Sequence, residues 1–367
     1  MNPSARDCRV VVVGGGIIGL TSALALLEHG YRNVTLVAKS FEDTTSHVAG
    51  GLWMPFELPA HLDPTTPRSV TSQLSLVRCQ RADLAGSFFA NSKWCEVSYE
   101  WLKDMWRKHG DATGIHVVPA IDVSAEGLPP VTHPYWAHCV DNYRLLSRDE
   151  AAAVFPGMTH GCSFDTIIYN TKTFMDLMTK EVRRLGGVFE QRELASLDDV
   201  DCDLLINCSG LAAKQLANDD SMYPIRGQVI KVYNPNIDKC IMAVHNDSSH
   251  TYIIPRPNGD VVIGGTVQPH NWSTATNDAD ADGVWTRCCE LYPEIKNSKI
   301  VAKVAGLRPG RSNGVRLEVD PRPNAQGAIV IHNYGHSGSG HTLQWGCAQD
   351  VVRLASRRFL TDRASRL

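Results

Sequence analysis

Gly14-Gly15-Gly16-Ile17-Ile18-Gly19 sets glycines at GxGxxG spacing, directly after the β-branched run Val10 to Val13 and before an apolar stretch from Ile17 to His29. Glycines there let the backbone turn tightly and approach a pyrophosphate, and a helix start adds N–H groups and partial positive charge, so the pattern suits a dinucleotide. The bland alternative is a tight turn with no ligand. The acid that usually grips the ribose at the end of the second strand is missing. Its neighbourhood is Val37-Ala38-Lys39-Ser40, with Glu42 and Asp43 slightly late. A basic residue there suits a 2′-phosphate, so these residues leave FAD and NADP both open. Arg308 and Arg311, in isolation, read as surface charges, and Tyr252 as a strand tyrosine in a core. The 11 cysteines show no CxxC pair and no metal-ligand spacing. They read as reduced intracellular thiols, and no metal is expected.

The elements that must position these groups are locally legible. Val10 to Val13, Ile17 to His29 with Gly30 as its stop, and Asn33 to Ala38 form strand, helix and strand, the opening of a parallel sheet. Thr173 to Leu185 reads as a helix, and Val188 to Gln191 and Asp203 to Asn207 as strands. Ala328 to His332 reads as a strand that runs through a glycine-rich turn into a helix from about His341 to Phe359. Residues 225–267 read as a β meander, with Asn258-Gly259 as a hairpin turn. The stretch 56–157 is mixed, with helical pieces such as Trp94 to Trp106. A chain of 367 residues, 43% hydrophobic, is expected to form two domains. A net charge of -3 without a basic run argues against nucleic acid and anionic membrane surfaces. No apolar stretch approaches the ~20 residues of a membrane span. The first residues lack an apolar signal core, and Ser365-Arg366-Leu367 fits the small–basic–Leu pattern of a peroxisomal address.

Thr44-Thr45-Ser46-His47-Val48-Ala49-Gly50-Gly51-Leu52-Trp53-Met54-Pro55 resembles the D-amino acid oxidase family, the FAD-dependent group that includes D-aspartate oxidases. The resemblance continues through Gln228, Tyr252-Ile253-Ile254-Pro255, Gly264-Gly265, Gly306-Leu307-Arg308-Pro309, His332-Asn333-Tyr334-Gly335-His336 and Trp345-Gly346. It implies an α/β fold: a Rossmann-like FAD-binding domain with a doubly wound parallel sheet, carrying an inserted α+β substrate domain on a mainly antiparallel sheet. The expected boundaries are 1–55, 158–213 and 303–367 for the first, and 56–157 and 214–302 for the second.

By the same resemblance the cofactor is non-covalent FAD. Gly14, Gly16, Ile17, Ile18 and Gly19 line its pyrophosphate, with Lys39 and Ser40 near the ribose. Thr44, Thr45 and Ser46 match hydroxyl positions around the phosphates, and Gly50, Gly51 and Leu52 the isoalloxazine edge. Leu194 matches a backbone contact on the adenine side, and Ser209-Gly210 a loop past the adenosine. Arg308 matches the carboxylate-binding arginine, Tyr252 its phenolic partner, and Gly338 the carbonyl that holds the substrate amine. Ser337 and Gly338 also count among the implied cofactor-binding residues, in the turn that leads to a helix start whose Gly340, His341 and Thr342 N–H groups would face the flavin. The implied reaction is hydride transfer from the α-carbon of a D-amino acid to flavin N5, with O2 as acceptor and H2O2 as product.

Acid-preferring relatives tend to carry arginine before the tyrosine and after Gly-Gly-Thr, where this chain has Val267. Met242, Trp53, Phe56 and Val267 are therefore expected to wall a pocket for neutral or apolar side chains, with D-aspartate oxidation and a remote NADP-dependent dehydrogenase as alternatives. A peroxide producer also fits a peroxisomal matrix address and its import receptor. Association into a homodimer stays open.

Overall fold

Val10 to Val13 cannot sit at a surface, and in the computed structural model it is a central strand buried by neighbours on both sides. The structure describes residues 6–55, 82–127, 134, 136–247 and 249–364. Strands run along the chain as β1 (Arg9–Val13), β2 (Asn33–Ala38), β3 (Ile115–Ala125), β4 (Asp141–Leu145), β5 (Met158–Tyr169), β6 (Val188–Gln191), β7 (Leu204–Asn207) and β8 (Met222–Tyr233). They continue as β9 (Cys240–Val244), β10 (His250–Pro255), β11 (Asp260–Gly264), β12 (Gln268–Pro269), β13 (Lys299–Arg311), β14 (Arg316–Val319) and β15 (Ile329–Tyr334). Helices of two turns or more are α1 (Ile17–Glu28), α2 (Ala82–His109), α3 (Thr171–Arg184), α4 (Asp278–Leu291) and α5 (Gly340–Ala364).

The chain divides into two compact units. The first takes residues 1–47, 172–223 and 309–367 and holds a six-stranded sheet in the order β14-β15-β7-β1-β2-β6. All its pairings are parallel except the edge strand β14. Parallel sheets need cover on both faces, which is why β1, β2 and β7 are nearly continuous aliphatic runs. α1 is buried from Gly19 to Leu27 because α5 packs along it, with Thr21 Oγ1 donating to the Gln344 carbonyl at 3.4 Å. Gly30, at φ +89°, turns the chain out of α1 as the left-handed stop a glycine allows.

The second unit takes residues 48–171 and 224–308. Its sheet runs β12-β8-β11-β10-β9-β3-β5-β4, with β13 pairing β8. β3 pairs β9 in parallel, and the other pairings given are antiparallel. One face packs on α4. Val123, Ile230, Val232, Ile241, Ala243, Ile253 and Ile263 lie there against Val284, Cys288 and Leu291. Strand alternation sends the intervening residues to the opposite face.

These bounds move several expected boundaries. Residues 158–171 were expected in the first domain, yet β5 pairs with β3 from Ile115↔Tyr169 to Ser124↔His160 and belongs to the antiparallel sheet. Residues 48–55 follow it, because Leu52 bridges Ile168. Residues 214–223 fall in the first unit and 303–308 in the second. The cysteines within the described residues are all free and buried, and burial pushes thiols such as Cys208 up to about 12, which leaves them protonated and unreactive. Among the described residues no helix is long and apolar enough to cross a membrane. Phe56 and Ser365-Arg366-Leu367, both singled out in the sequence, lie outside the described residues.

Candidate active site

The glycine turn of the first unit is built to leave backbone room. Gly14 sits at φ +129°, and a β-carbon there would lie 2.8 Å from the Cys208 carbonyl carbon. Only glycine takes that backbone at so close an approach. Gly16 caps α1 with no side-chain hydrogen bond, and the first turn carries no acid. The N–H groups of Ile18 and Gly19 therefore have no intrahelical acceptor and keep the positive end of the helix available to a phosphate. Ser46 ties the surrounding segments together: its Oγ accepts from Ile17 N at 3.0 Å, and its carbonyl bonds His341 Nε2 at 2.8 Å. Thr44 Oγ1 lies 2.9 Å from His47 Nδ1, and Thr45 opens the same short helical turn. The Ser209 hydroxyl donates to Asn207 Oδ1 at 2.6 Å, at the end of β7 beside the Gly14 turn. Ser337 N donates to the Pro309 carbonyl at 3.0 Å, which anchors the Ser337–Gly340 turn ahead of α5. Gly210 and Gly338 lie in the same two loops, and Gly340 and Thr342 open α5.

An acid does come near the end of β2, from a distant segment of the chain. Lys39 pairs with Glu193 at 2.8 Å, just after β6, and Ser40 closes a local turn with Glu42. Sequence order hid Glu193 because it lies 154 positions from Lys39. Leu194, next to it, packs against the core around Val13, Leu197 and Leu205.

In the second unit Arg308 and Tyr252 come together. Arg308 Nη1 donates to the Thr266 carbonyl at 3.1 Å, and its guanidinium hydrogen-bonds the Tyr252 hydroxyl. Three glycines make the room. A β-carbon at Gly227 would lie 2.5 Å from Arg308 Cζ, and one at Gly264 or Gly265 would collide with the Tyr252 ring. Burial pushes the Tyr252 hydroxyl upward, with the Arg308 charge opposing, so it stays a protonated donor. Burial and then the Arg308 charge lower His250 to about 4, which leaves it neutral at pH 7. A planar guanidinium beside a phenol is a donor set for a carboxylate.

Other expected pocket residues divide. Met242 faces Tyr252 across the β9–β10 pair and is 7% exposed. Val267 follows Thr266 and is half-buried. Trp53 differs from expectation: it is 0% exposed, edge-on to Tyr99 at 4.7 Å and Trp136 at 6.3 Å. It is core because β5 fixes its backbone, Trp53 N donating to the Ile167 carbonyl at 2.8 Å. Gly50, Gly51 and Leu52 are held by a residue the sequence did not single out. Arg256 donates to the carbonyls of Tyr169 at 2.8 Å, Gly50 at 3.2 Å and Ala49 at 3.3 Å. Its place two residues past Ile254 was the available signal. Gly227 was missed as well, since the space it leaves is a property of packing.

The glycine cradle, with its unblocked helix start and Ser46 hydroxyl, fits the phosphates of FAD. The family model described as FAD dependent oxidoreductase matches residues 9–354. The D-amino-acid oxidase of Rubrobacter xylanophilus is 32% identical over 349 residues, covering 95% of this chain and 95% of that protein. The D-aspartate oxidase of Homo sapiens is 31% identical, covering 95% of this chain and 94% of that protein. The solved glycine oxidase of Geobacillus kaustophilus has the same fold at a TM-score of 0.72 and 17% identity, over 96% of this chain and 95% of its own. The chain is thus an FAD-dependent enzyme of the D-amino-acid oxidase and D-aspartate oxidase family.

Proposed function

We propose that this enzyme oxidises free D-amino acids with neutral or apolar side chains to 2-oxo acids, releasing ammonia and H2O2. The observation that carries the reading is the Arg308–Tyr252 pair, in a glycine-lined recess of the antiparallel sheet. Arg308 supplies a bidentate clamp for the substrate carboxylate, and the Tyr252 hydroxyl adds a second donor. Two anchored oxygens fix the α-carbon, so its C–H bond points one way and the side chain another. The amine, bound as a neutral group, pushes its lone pair toward the α-carbon as the hydride departs. The C=N bond that forms hydrolyses in water to the 2-oxo acid and ammonia. FAD, when bound, would supply the acceptor for that hydride and return its two electrons to O2, which with two protons, ultimately from the substrate and solvent, becomes H2O2. No general base at the α-carbon is needed. His250 is neutral but sits against Arg308, where a positive charge opposes its taking a proton. Orientation of this kind supplies several kcal/mol of a barrier.

Met242, Val267 and the absence of arginine after Gly265-Thr266 support neutral side chains. The alternative, oxidation of acidic D-amino acids, is favoured by Arg287, whose guanidinium reaches the Gly265 carbonyl at 3.5 Å and offers a second cation. An anaerobic absorption spectrum tests the first reading: D-alanine should bleach the yellow protein and L-alanine should not. Colourless protein that cannot take up FAD rejects it. A strong kcat/KM preference for D-aspartate over D-alanine selects the alternative.

A further inference from the structure

Tyr252 pairs with Met242 across β10 and β9, and Met242 pairs with Asp122 across β9 and β3. The residues flanking these three, Ile253, Ile241, Ala243, Val123 and Ile121, all pack into the core on the α4 face. Alternation therefore sends Tyr252, Met242 and Asp122 in one row to the opposite face, the face of the Arg308 hydroxyl partner. Cys162, which pairs with Asp122 on β5, continues the row, and Tyr143 lies beside it. Among the described residues no hydrogen bond or ion pair holds the Asp122 carboxyl, and burial alone pushes it up to about 7. Asp122 is half-buried, and a carboxylate whose ionised form is disfavoured by partial desolvation gains from a ligand that brings it a cationic donor.

We propose that Asp122 is a specificity residue that receives the terminal ammonium or guanidinium of a basic D-amino acid. This rests on Arg308 and Tyr252 binding the substrate carboxylate. Two strand spacings separate Tyr252 from Asp122, roughly 10 Å. An extended lysine covers most of that span from carboxylate to ammonium and a charge-assisted hydrogen bond of ~2.8 Å at the Asp122 end closes the rest; arginine reaches as far, whereas alanine and aspartate fall well short. Met242 lies midway and covers the methylenes with a deformable thioether. The same carboxylate repels an acidic side chain. Accepted substrates thus extend from neutral side chains to those with an apolar stem and a cationic head.

D-lysine and D-norleucine share the stem and differ in the ammonium. The test measures kcat/KM for both with the FAD-loaded enzyme in mildly alkaline buffer, where Asp122 is ionised, for wild type and Asp122→Asn. The expected result is a wild-type preference for D-lysine, and a fall in the D-lysine to D-norleucine ratio of about tenfold or more in the variant, the effect of one charge-assisted hydrogen bond. An unchanged ratio overturns the proposal. If Asp122→Asn does not fold, a wild-type preference for D-norleucine overturns it equally. Failure of the wild type to oxidise D-alanine as well as both probes is a separate outcome, which removes the carboxylate-site reading itself.

Discussion

Gly227→Ala adds one methyl group behind the guanidinium that the proposed chemistry depends on. Its β-carbon would lie 2.5 Å from Arg308 Cζ. Carbon atoms rest at ~3.5–4 Å, so one side must yield by roughly 1 Å. The strand is held on both sides of the glycine. Arg226 is bound by Asp280 at 2.7 Å and Gln268 at 2.7 Å, and Gln228 by Thr266 Oγ1 at 2.8 Å and the Asn277 carbonyl at 2.6 Å. The flexible end of Arg308 is the part that moves. Misplacement of a positioning group by 1 Å costs on the order of 10²-fold, which is about 2.7 kcal/mol of transition-state stabilisation. Stability should fall by less, under about 2 kcal/mol, since the displaced atoms end a side chain. The assay is peroxide formation from D-alanine, with thermal melting and bound-flavin absorbance as controls. A folded, yellow Gly227→Ala protein whose kcat/KM stays within about threefold of wild type would refute this placement of Arg308.

Further outcomes follow from the same geometry. Arg308→Lys keeps the charge and loses the planar fork, and should lower kcat/KM with D-alanine by about 100-fold, with Arg308→Ala lower still, as steady-state kinetics would report. Tyr252→Phe removes one donor and should raise KM about tenfold, while the anaerobic D-alanine endpoint is still reached. Arg256→Met frees three carbonyls at residues 49, 50 and 169 and should cost about 3 kcal/mol of stability in denaturant titration, together with weaker FAD retention. His336 is lowered to about 3 by burial. It is neutral in the folded state, while the unfolded chain takes up its proton below about 6.5. Its contribution is thus present above that pH and is lost toward pH 3, at up to about 1.4 kcal/mol per unit. His336→Asn should flatten the fall in Tm between roughly pH 6.5 and 4, and an unchanged slope would contradict the burial.

The parts of the fold legible in the sequence are those fixed by near neighbours. β1, the glycine turn and α1 follow from a β-branched run, positions that tolerate unusual backbone, and a helix-forming stretch, all within 20 residues of one another. The helix at Thr171–Arg184 and the strand at Val188–Gln191 fell close to the sequence expectation for the same reason. Residues 158–171 went to the wrong domain because β5 is defined by partners at 115–125 and 141–145, and no local pattern names a strand's partner. Trp53 looked like a pocket wall because its motif is rich in large apolar residues, yet hydrogen bonding to β5 turns it into the aromatic core.

By itself the sequence determined the chemical inventory: a glycine cradle at 14–19, one arginine and one tyrosine suited to a carboxylate, and a family pattern that names the cofactor. Only the tertiary structure decided which groups meet. It brought Arg308 to Tyr252 across 56 positions, opened space for them with Gly227, Gly264 and Gly265, set Glu193 beside Lys39, and put Asp122 in register with Met242. The physical reason is that a side chain's type is local, whereas its partner, its solvation and the room around it are set by strand register between segments far apart in the chain.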